Sequence, residues 1–333
     1  MAKILVSIIS YKEIELENTV KSCFNNAKNK QNLLFSIVDE NKENQYADLS
    51  FVPKNQILYK KYDLSEYRGI LWARNETNNH NFEYDYILYI CAHTQFEQDW
   101  DIICLEEYEK ALKKNNSYKT VLTYCGPDYE IDKSYSVKKY NTELNINNNL
   151  YVEKFDTKKF IPGFWFPRAN NVPQGEGVHE GYWVHFTWCF ANKEFVKEVP
   201  LDPEMNFNGE EPYVTVQAWC RGWRFYATPK ILYWHNTVKR YPDFEKPAYM
   251  TDRPWMDKNK NNYWKNSDES MNKLNLLFSG KLKGPYGNIS REQVLEFCHA
   301  SGMDEKYTEY NPEYYKTDGY QHCINYRYED PVE

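Results

Sequence analysis

The chain has 333 residues and a formal net charge of −7, with 41% hydrophobic, 17% aromatic and 27% charged residues. That length can bury a sizeable core in one large domain or two. The acidic balance excludes a general attraction to nucleic acid or anionic membrane, so such a partner would need a local basic patch.

The opening apolar run is too short for a signal-peptide core or a membrane span, and Lys3 to Ser10 reads as a buried strand ending in Ser10-Tyr11-Lys12. Val20, Cys23, Phe24 and Ala27 then recur at helical spacing. Leu33 to Val38 and Ile57 to Tyr62 read as the next strands, and a short helix over residues 69–77 carries Arg74. Tyr86 to Ile90 is hydrophobic on both faces, as a buried strand should be, and Cys91 and His93 follow its end. A helix runs from Trp100 to about Lys113, and Val121 to Tyr124 is a strand stopped by Gly126-Pro127. Alternation of this kind predicts a largely parallel α/β sheet.

From Asp128 to about Phe160 the periodicity fades, which predicts an irregular insertion or an edge hairpin. Gly181 to Ala191 is strand-like, Asn192 can cap a short helix through Val196, and Pro200 to Pro203 is a turn. Glu210-Glu211 opens a helix ended by Gly222, and strands follow at Trp223 to Tyr226 and Tyr233 to His235. A polar segment from Thr237 to Asn266 precedes helices over residues 269–278 and 291–301, and the Tyr-rich end lacks periodicity. Eight cysteines without a Cys-x-x-Cys pair give neither a zinc ribbon nor a disulfide framework, which suits a reducing, cytoplasmic setting.

Three features carry chemistry. Cys91 and His93 are metal-ligating types at a strand end, where open α/β sheets bind ligands. His235 ends another strand, and Glu210-Glu211 starts a helix. Each has an ordinary structural reading as well: a satisfied histidine, a turning strand, or carboxylates favoured by a helix dipole.

In order and spacing, these pieces resemble the GlcNAc-transferase family that includes cytoplasmic enzymes glycosylating hydroxyproline, related distantly to the mucin-type polypeptide GalNAc-transferases. Ser7-Ile8-Ile9-Ser10-Tyr11 resembles the opening strand and nucleotide loop, and Ala73-Arg74-Asn75 an Ala-Arg-aromatic segment. Cys91-Ala92-His93-Thr94-Gln95-Phe96 with Trp100-Asp101 is similar to an Asp-x-His-x-Arg-Phe…Trp-Asp signature. Gly209-Glu210-Glu211 with Trp219, Gly222, Trp223, Tyr226 and Pro229 is the most specific stretch. Gly284-Pro285-Tyr286-Gly287 and Gly302-Met303-Asp304 resemble the C-terminal signature.

The resemblance implies a Rossmann-like GT-A fold over residues 1–255, with a helical and irregular C-terminal extension over 256–333 packed on it. It implies a retaining glycosyltransferase using a UDP-GlcNAc-like nucleotide sugar and a divalent cation, Mn2+ or Mg2+. The acceptor would carry a hydroxyl on a protein, a glycan or a modified base of viral or phage DNA, with no membrane partner. By residue, it implies Cys91, His93 and His235 at the cation, and Ser10, Tyr11, Arg74, Thr187 and Trp188 at the donor. Glu210 and Glu211 would face the sugar or the acceptor hydroxyl. Asn75 replaces the family's aromatic and Thr187-Trp188 stands where the family usually has a Gly beside an aromatic, and two residues of the signature depart from the pattern as well. Cys91 stands where the family has Asp, and a thiol matches Mg2+ or Mn2+ poorly; Gln95 replaces an Arg. A catalytically silent nucleotide-sugar-binding protein is therefore the competing expectation, and turnover of a UDP-sugar separates the two.

Overall fold

Four parallel strands hold the first part of the chain: β1 (Ile4–Tyr11), β2 (Leu33–Glu40), β3 (Ile57–Tyr62) and β4 (Tyr86–Cys91), side by side as β4-β1-β2-β3. The computed structural model describes residues 2–42, 46–64, 68–131, 137–139, 151–160, 167–172, 177–205, 209–236 and 262–305. Helices α1 (Leu16–Asn26) and α2 (Ile70–Asn78) lie in the crossovers, and β4 leads through the short β5 (Thr94–Phe96) into α3 (Trp100–Asn115).

Both faces of β1, β2 and β4 are buried because both are covered, as inner parallel strands require, whereas β3 at the edge is only half-buried. In β4, Ile87 and Tyr89 enter one core while Leu88 and Ile90 enter the other, following the two-residue alternation of a strand. The Trp100-Asp101 pair has a structural role. Trp100 is buried and its indole donates to the Cys23 carbonyl at 2.9 Å, while Asp101 accepts from the Lys28 and Asn29 backbone N–H groups at 2.7 and 2.9 Å.

The sheet continues through β6 (Thr120–Thr123), with β7 (Tyr129–Ile131) and β8 (Val137–Lys139) forming a separate antiparallel pair. A second antiparallel pair joins β9 (Tyr151–Phe160), which lies within the insertion expected from Asp128 to about Phe160, to β10 (Pro167–Val172) beyond it. Next come β11 (His179–Gly181), β12 (Trp188–Asn192), α4 (Glu194–Glu198), α5 (Glu210–Cys220), β13 (Arg224–Ala227) and β14 (Tyr233–His235). The full sheet order is β11-β13-β6-β12-β4-β1-β2-β3. It is mostly parallel, but β12 runs antiparallel between β4 and β6, and β11 is antiparallel at the edge. A buried apolar run reads alike in either direction, so β12's direction is settled by tertiary pairing.

One expected strand is broken. Residues 182–187 leave the ladder between β11 and β12, because side chains take their backbone donors. Val184 N–H bonds Thr215 Oγ1 at 3.0 Å, His185 N–H bonds Thr123 Oγ1 at 2.8 Å, and Phe186 N–H bonds Glu211 Oε1 at 2.9 Å. Asn192 does accept from the Glu194 N–H at 3.0 Å as α4 begins.

The C-terminal helices α6 (Asn262–Phe278) and α7 (Arg291–Ser301) send Leu274, Leu277, Phe278, Val294 and Phe297 into the core shared with α5. Helix α6 starts inside the segment expected to be polar and irregular. Ser290 and Gln293 close a reciprocal capping box on α7, and Gly302 ends it at φ 75°. Arg221 ties this extension to the sheet domain, donating to the Glu198 carbonyl at 2.9 Å, Gln217 Oε1 at 2.6 Å and the Gly287 carbonyl at 2.9 Å. The expected 255/256 boundary and the Tyr-rich end lie outside the described residues. Among the described residues, no helix is long and apolar enough to cross a membrane.

Candidate active site

The C-terminal ends of β1, β2 and β4 lie along one edge of the sheet, the edge at which open α/β sheets bind ligands. The turn after β4 is held by Thr19 on α1. Its hydroxyl donates to the Ala92 carbonyl at 2.9 Å and accepts from the Thr94 N–H at 2.9 Å. Thr94 Oγ1 closes the turn on the Cys91 carbonyl at 2.9 Å. Thr19 and Thr94 are both fully buried, so this turn is built from satisfied polar groups in a dry setting.

Antiparallel pairing of β14 with β5 places His235 opposite Thr94. The His235 N–H donates to the Pro127 carbonyl at 2.9 Å, and the Asn236 N–H to the His93 carbonyl at 3.2 Å. The His93 and His235 rings then lie 4.6 Å apart, centroid to centroid. The ligating atoms of Cys91, His93 and His235 all fall within 4.8 Å of one another. Residues 144 positions apart in sequence thus meet at one point.

His93 has a further partner that no motif marks: its Nδ1 lies 3.0 Å from Glu13 Oε2, and Glu13 is buried. Nearby, buried Glu15 accepts from the Tyr129 hydroxyl and from Asn236 Nδ2, the latter at 2.9 Å.

At the β1–β2 end, Ser10 Oγ donates to Asp39 Oδ1 at 2.8 Å and Tyr59 OH to Asp39 Oδ2 at 2.6 Å. Burial pushes the Asp39 carboxyl up, against the lowering effect of these two donors. Its neighbour Glu40 is pushed up to about 8, first by burial and then by Asp39. Both carboxyls end a fully buried strand, a signal of the same kind as Cys91 and His93 at the end of β4. Glu13 has no comparable local signal.

Arg74, expected at the phosphates, is fully buried in α2. Its Nη2 donates to the Phe186 carbonyl at 3.2 Å, and its guanidinium lies 4.4 Å from the Phe186 ring centre and 5.5 Å from that of Tyr89. Nε and Nη1 have no hydrogen-bond acceptor among the described residues. Burial lowers the Arg74 pKa, and Cys91, Tyr89, Cys189 and Glu210 oppose that in decreasing order. Cys91 Sγ donates to the same Phe186 carbonyl at 3.8 Å, so thiol and guanidinium converge there.

The acidic pair divides. Glu211 is held on both oxygens, by Trp183 Nε1 at 2.9 Å and the Phe186 N–H at 2.9 Å, and so shapes the 182–187 segment. Glu210 is buried at the start of α5 within the charge environment of Arg74. Thr187 is half-buried, its hydroxyl 3.0 Å from Tyr233 OH. Trp188, expected at the donor, is fully buried instead. It stacks on Tyr233 at 4.8 Å and meets Trp100 edge-on in an aromatic floor within the core. Gly126 permits that floor: a Cβ there would lie 2.8 Å from the Tyr233 ring. Ser10 is buried and engaged with Asp39, and Tyr11 is half-buried at the same edge.

A family model described as Glycosyltransferase (GlcNAc) matches residues 44–279, more than half of the chain. Among solved structures, the chain is similar to GalNAc-T7 crystallised with UDP, GalNAc and Mn2+, at 16% identity and a TM-score of 0.52. That match covers 98% of this chain and 58% of the other, so the chain spans less than two thirds of that relative's length. S. aureus TarS 1-349 aligns at 14% identity and a TM-score of 0.42, over 70% of this chain and 60% of that one. No curated protein matches the sequence. The likeness to GalNAc-T7 bears on the fold, which is the GT-A type: α/β layers around a mostly parallel sheet.

Proposed function

The chain belongs to the GlcNAc glycosyltransferase family, and from that premise we propose that it transfers a sugar from a UDP-linked, GlcNAc-like donor to a hydroxyl-bearing acceptor. The observation that carries this reading is the meeting of Cys91, His93 and His235 at the sheet edge that also holds the Ser10–Asp39 pair. A nucleoside diphosphate leaves with negative charge, and a divalent cation held by these three side chains would stabilise that departure. The residues at the two ends of the edge suit different parts of the donor. Asp39, with Ser10 and Tyr59 fixing both its oxygens, suits the nucleoside. The Arg74 guanidinium would add positive charge to the site through the field rather than by direct contact, since the side chain is fully buried.

Glu210 is the carboxylate we assign to the sugar or acceptor hydroxyl, because Glu211 is already held on both oxygens. Transfer proceeds with retention, and the acceptor is a protein side chain or a glycan. The net charge of −7 weighs against a DNA acceptor.

The test is release of free nucleotide from a panel of nucleotide sugars, with and without chelator and with hydroxyl-bearing peptides and glycans added. Turnover of one UDP-sugar, raised by one acceptor class, is the expected result. Tight nucleotide binding with no turnover across the panel would replace this reading with that of a silent binding protein.

A further inference from the structure

We infer that Cys91, His93 and His235 form a three-donor centre selective for a borderline divalent cation such as Zn2+ rather than for Mn2+ or Mg2+. The inference rests on the proposed function only for the ligand that completes the ion, the donor's diphosphate. The centre itself stands on its own residues.

The donor set is one sulfur and two imidazoles, with no carboxylate among the three. Thiolate and imidazole suit Zn2+, whereas Mg2+ and Mn2+ favour oxygen donors. Three protein ligands with an open position are also the arrangement of catalytic zinc sites. Zn–S and Zn–N bonds of about 2.3 and 2.0–2.1 Å put tetrahedral donors roughly 3.5 Å apart. The present 4.8 Å limit leaves about an ångström to close, within the reach of side-chain rotation.

Two further observations point to a metal rather than a chance cluster. Glu13 Oε2 lies 3.0 Å from His93 Nδ1. A carboxylate accepts, so Nδ1 carries the proton and Nε2 is left with the lone pair that binds metal, the carboxylate–histidine pairing common behind metal ligands. Arg74 and Cys91 share the Phe186 carbonyl, at 3.2 and 3.8 Å, so a fully buried cation lies beside the sulfur. That charge favours an anionic sulfur ligand. As the metal–sulfur bond forms, the thiol proton leaves to buffer.

The experiment uses the full chain stripped of metal by chelator, with Co2+ as the spectroscopic probe. A near-ultraviolet thiolate-to-cobalt charge-transfer band is expected, absent from Cys91→Asp and Cys91→Ser and removed by added Zn2+. Zn2+ outbinds Mn2+ at most sites, so the discriminating quantity is the Zn2+/Mn2+ affinity ratio. It should fall by at least about tenfold in Cys91→Asp, since a carboxylate trades a soft donor for a hard one. Glu13→Gln should weaken Co2+ about 10–100-fold, the usual loss for a partner behind a metal ligand. Circular dichroism confirms that each variant is folded, and Cys91→Ser serves if Cys91→Asp is not. No band in the folded parent, or an unchanged ratio on replacing Cys91, overturns the assignment. Mn2+-supported sugar turnover without a band would overturn it and leave the transferase standing. A band without turnover of any donor would uphold it and overturn the transferase.

Discussion

Arg74 and Phe186 hold each other twice: the guanidinium lies 4.4 Å from the Phe186 ring centre and donates to its carbonyl at 3.2 Å. A buried cation whose Nε and Nη1 have no acceptor among the described residues is costly to the fold. Its retention beside Cys91 and Glu210 argues for a role in the site. Arg74→Met, which keeps volume and removes charge, is expected to leave stability unchanged or raise it by about 1–4 kcal/mol. The same variant should lose most donor turnover. Thermal melts beside nucleotide-release rates check this, and a variant both destabilised and fully active would make Arg74 purely structural.

The two glutamates at the start of α5 should separate in the same paired measurement. Glu211→Gln keeps one acceptor oxygen where two are needed, so either Trp183 Nε1 or the Phe186 N–H loses its partner. An orphaned buried donor costs about 1–3 kcal/mol, so this variant should melt earlier. Glu210→Gln should instead lower turnover by about 100-fold or more, as loss of a positioned acid or base does, with nucleotide affinity nearly unchanged. Titration calorimetry with UDP supplies the affinity, and equal behaviour of the two variants would contradict the division.

Much of this arrangement is legible in the sequence. The bounds of β3, β14 and α7 follow from their residue patterns and end signals, and Cys91, His93 and His235 stand out as residues of metal-ligating type at or just past strand ends. Other features depend on contacts between distant residues. Glu13 gains its meaning from His93, 80 residues away, and residues 182–187 leave the sheet because Thr123, Thr215 and Glu211 supply competing acceptors. Trp188 is linked to the donor only by the resemblance, while β12 turns it into the packed face with Trp100 and Tyr233.

Glu40 should make stability depend on pH. Its carboxyl is raised from an ordinary 4.5 to about 8, first by burial and then by Asp39. The folded state therefore binds a proton that the unfolded chain releases at lower pH. The stabilisation is fully present below about pH 4.5, falls as pH rises, and is gone once pH passes about 8. Glu40→Gln removes this titration, so its melting temperature relative to the parent should climb across that window and level off above it. The plateau should correspond to a few kcal/mol, since each tenfold difference in proton affinity between folded and unfolded chain is worth about 1.4 kcal/mol. Melts at about pH 5, 7 and 9 in one ionic strength test it, and a constant difference between the proteins would show that Glu40 titrates normally.

Thr19 links the turn that carries Cys91 and His93 to the helix behind it, and its hydroxyl is the group responsible. Thr19→Val preserves shape and β-branching but removes both the donor to the Ala92 carbonyl and the acceptor for the Thr94 N–H. Each backbone group left unpaired costs about 1–3 kcal/mol. Part of that cost should be relieved by the turn shifting, which moves His93 relative to Cys91 and His235. Thr19→Val should therefore weaken Co2+ binding as well as stability. Thr19→Ser keeps the hydroxyl and should restore most of both. Cobalt titration and thermal melts on the three proteins provide the check. Thr19→Val with parental cobalt affinity would mean that the pairing of β5 with β14 holds the donors in place without the latch.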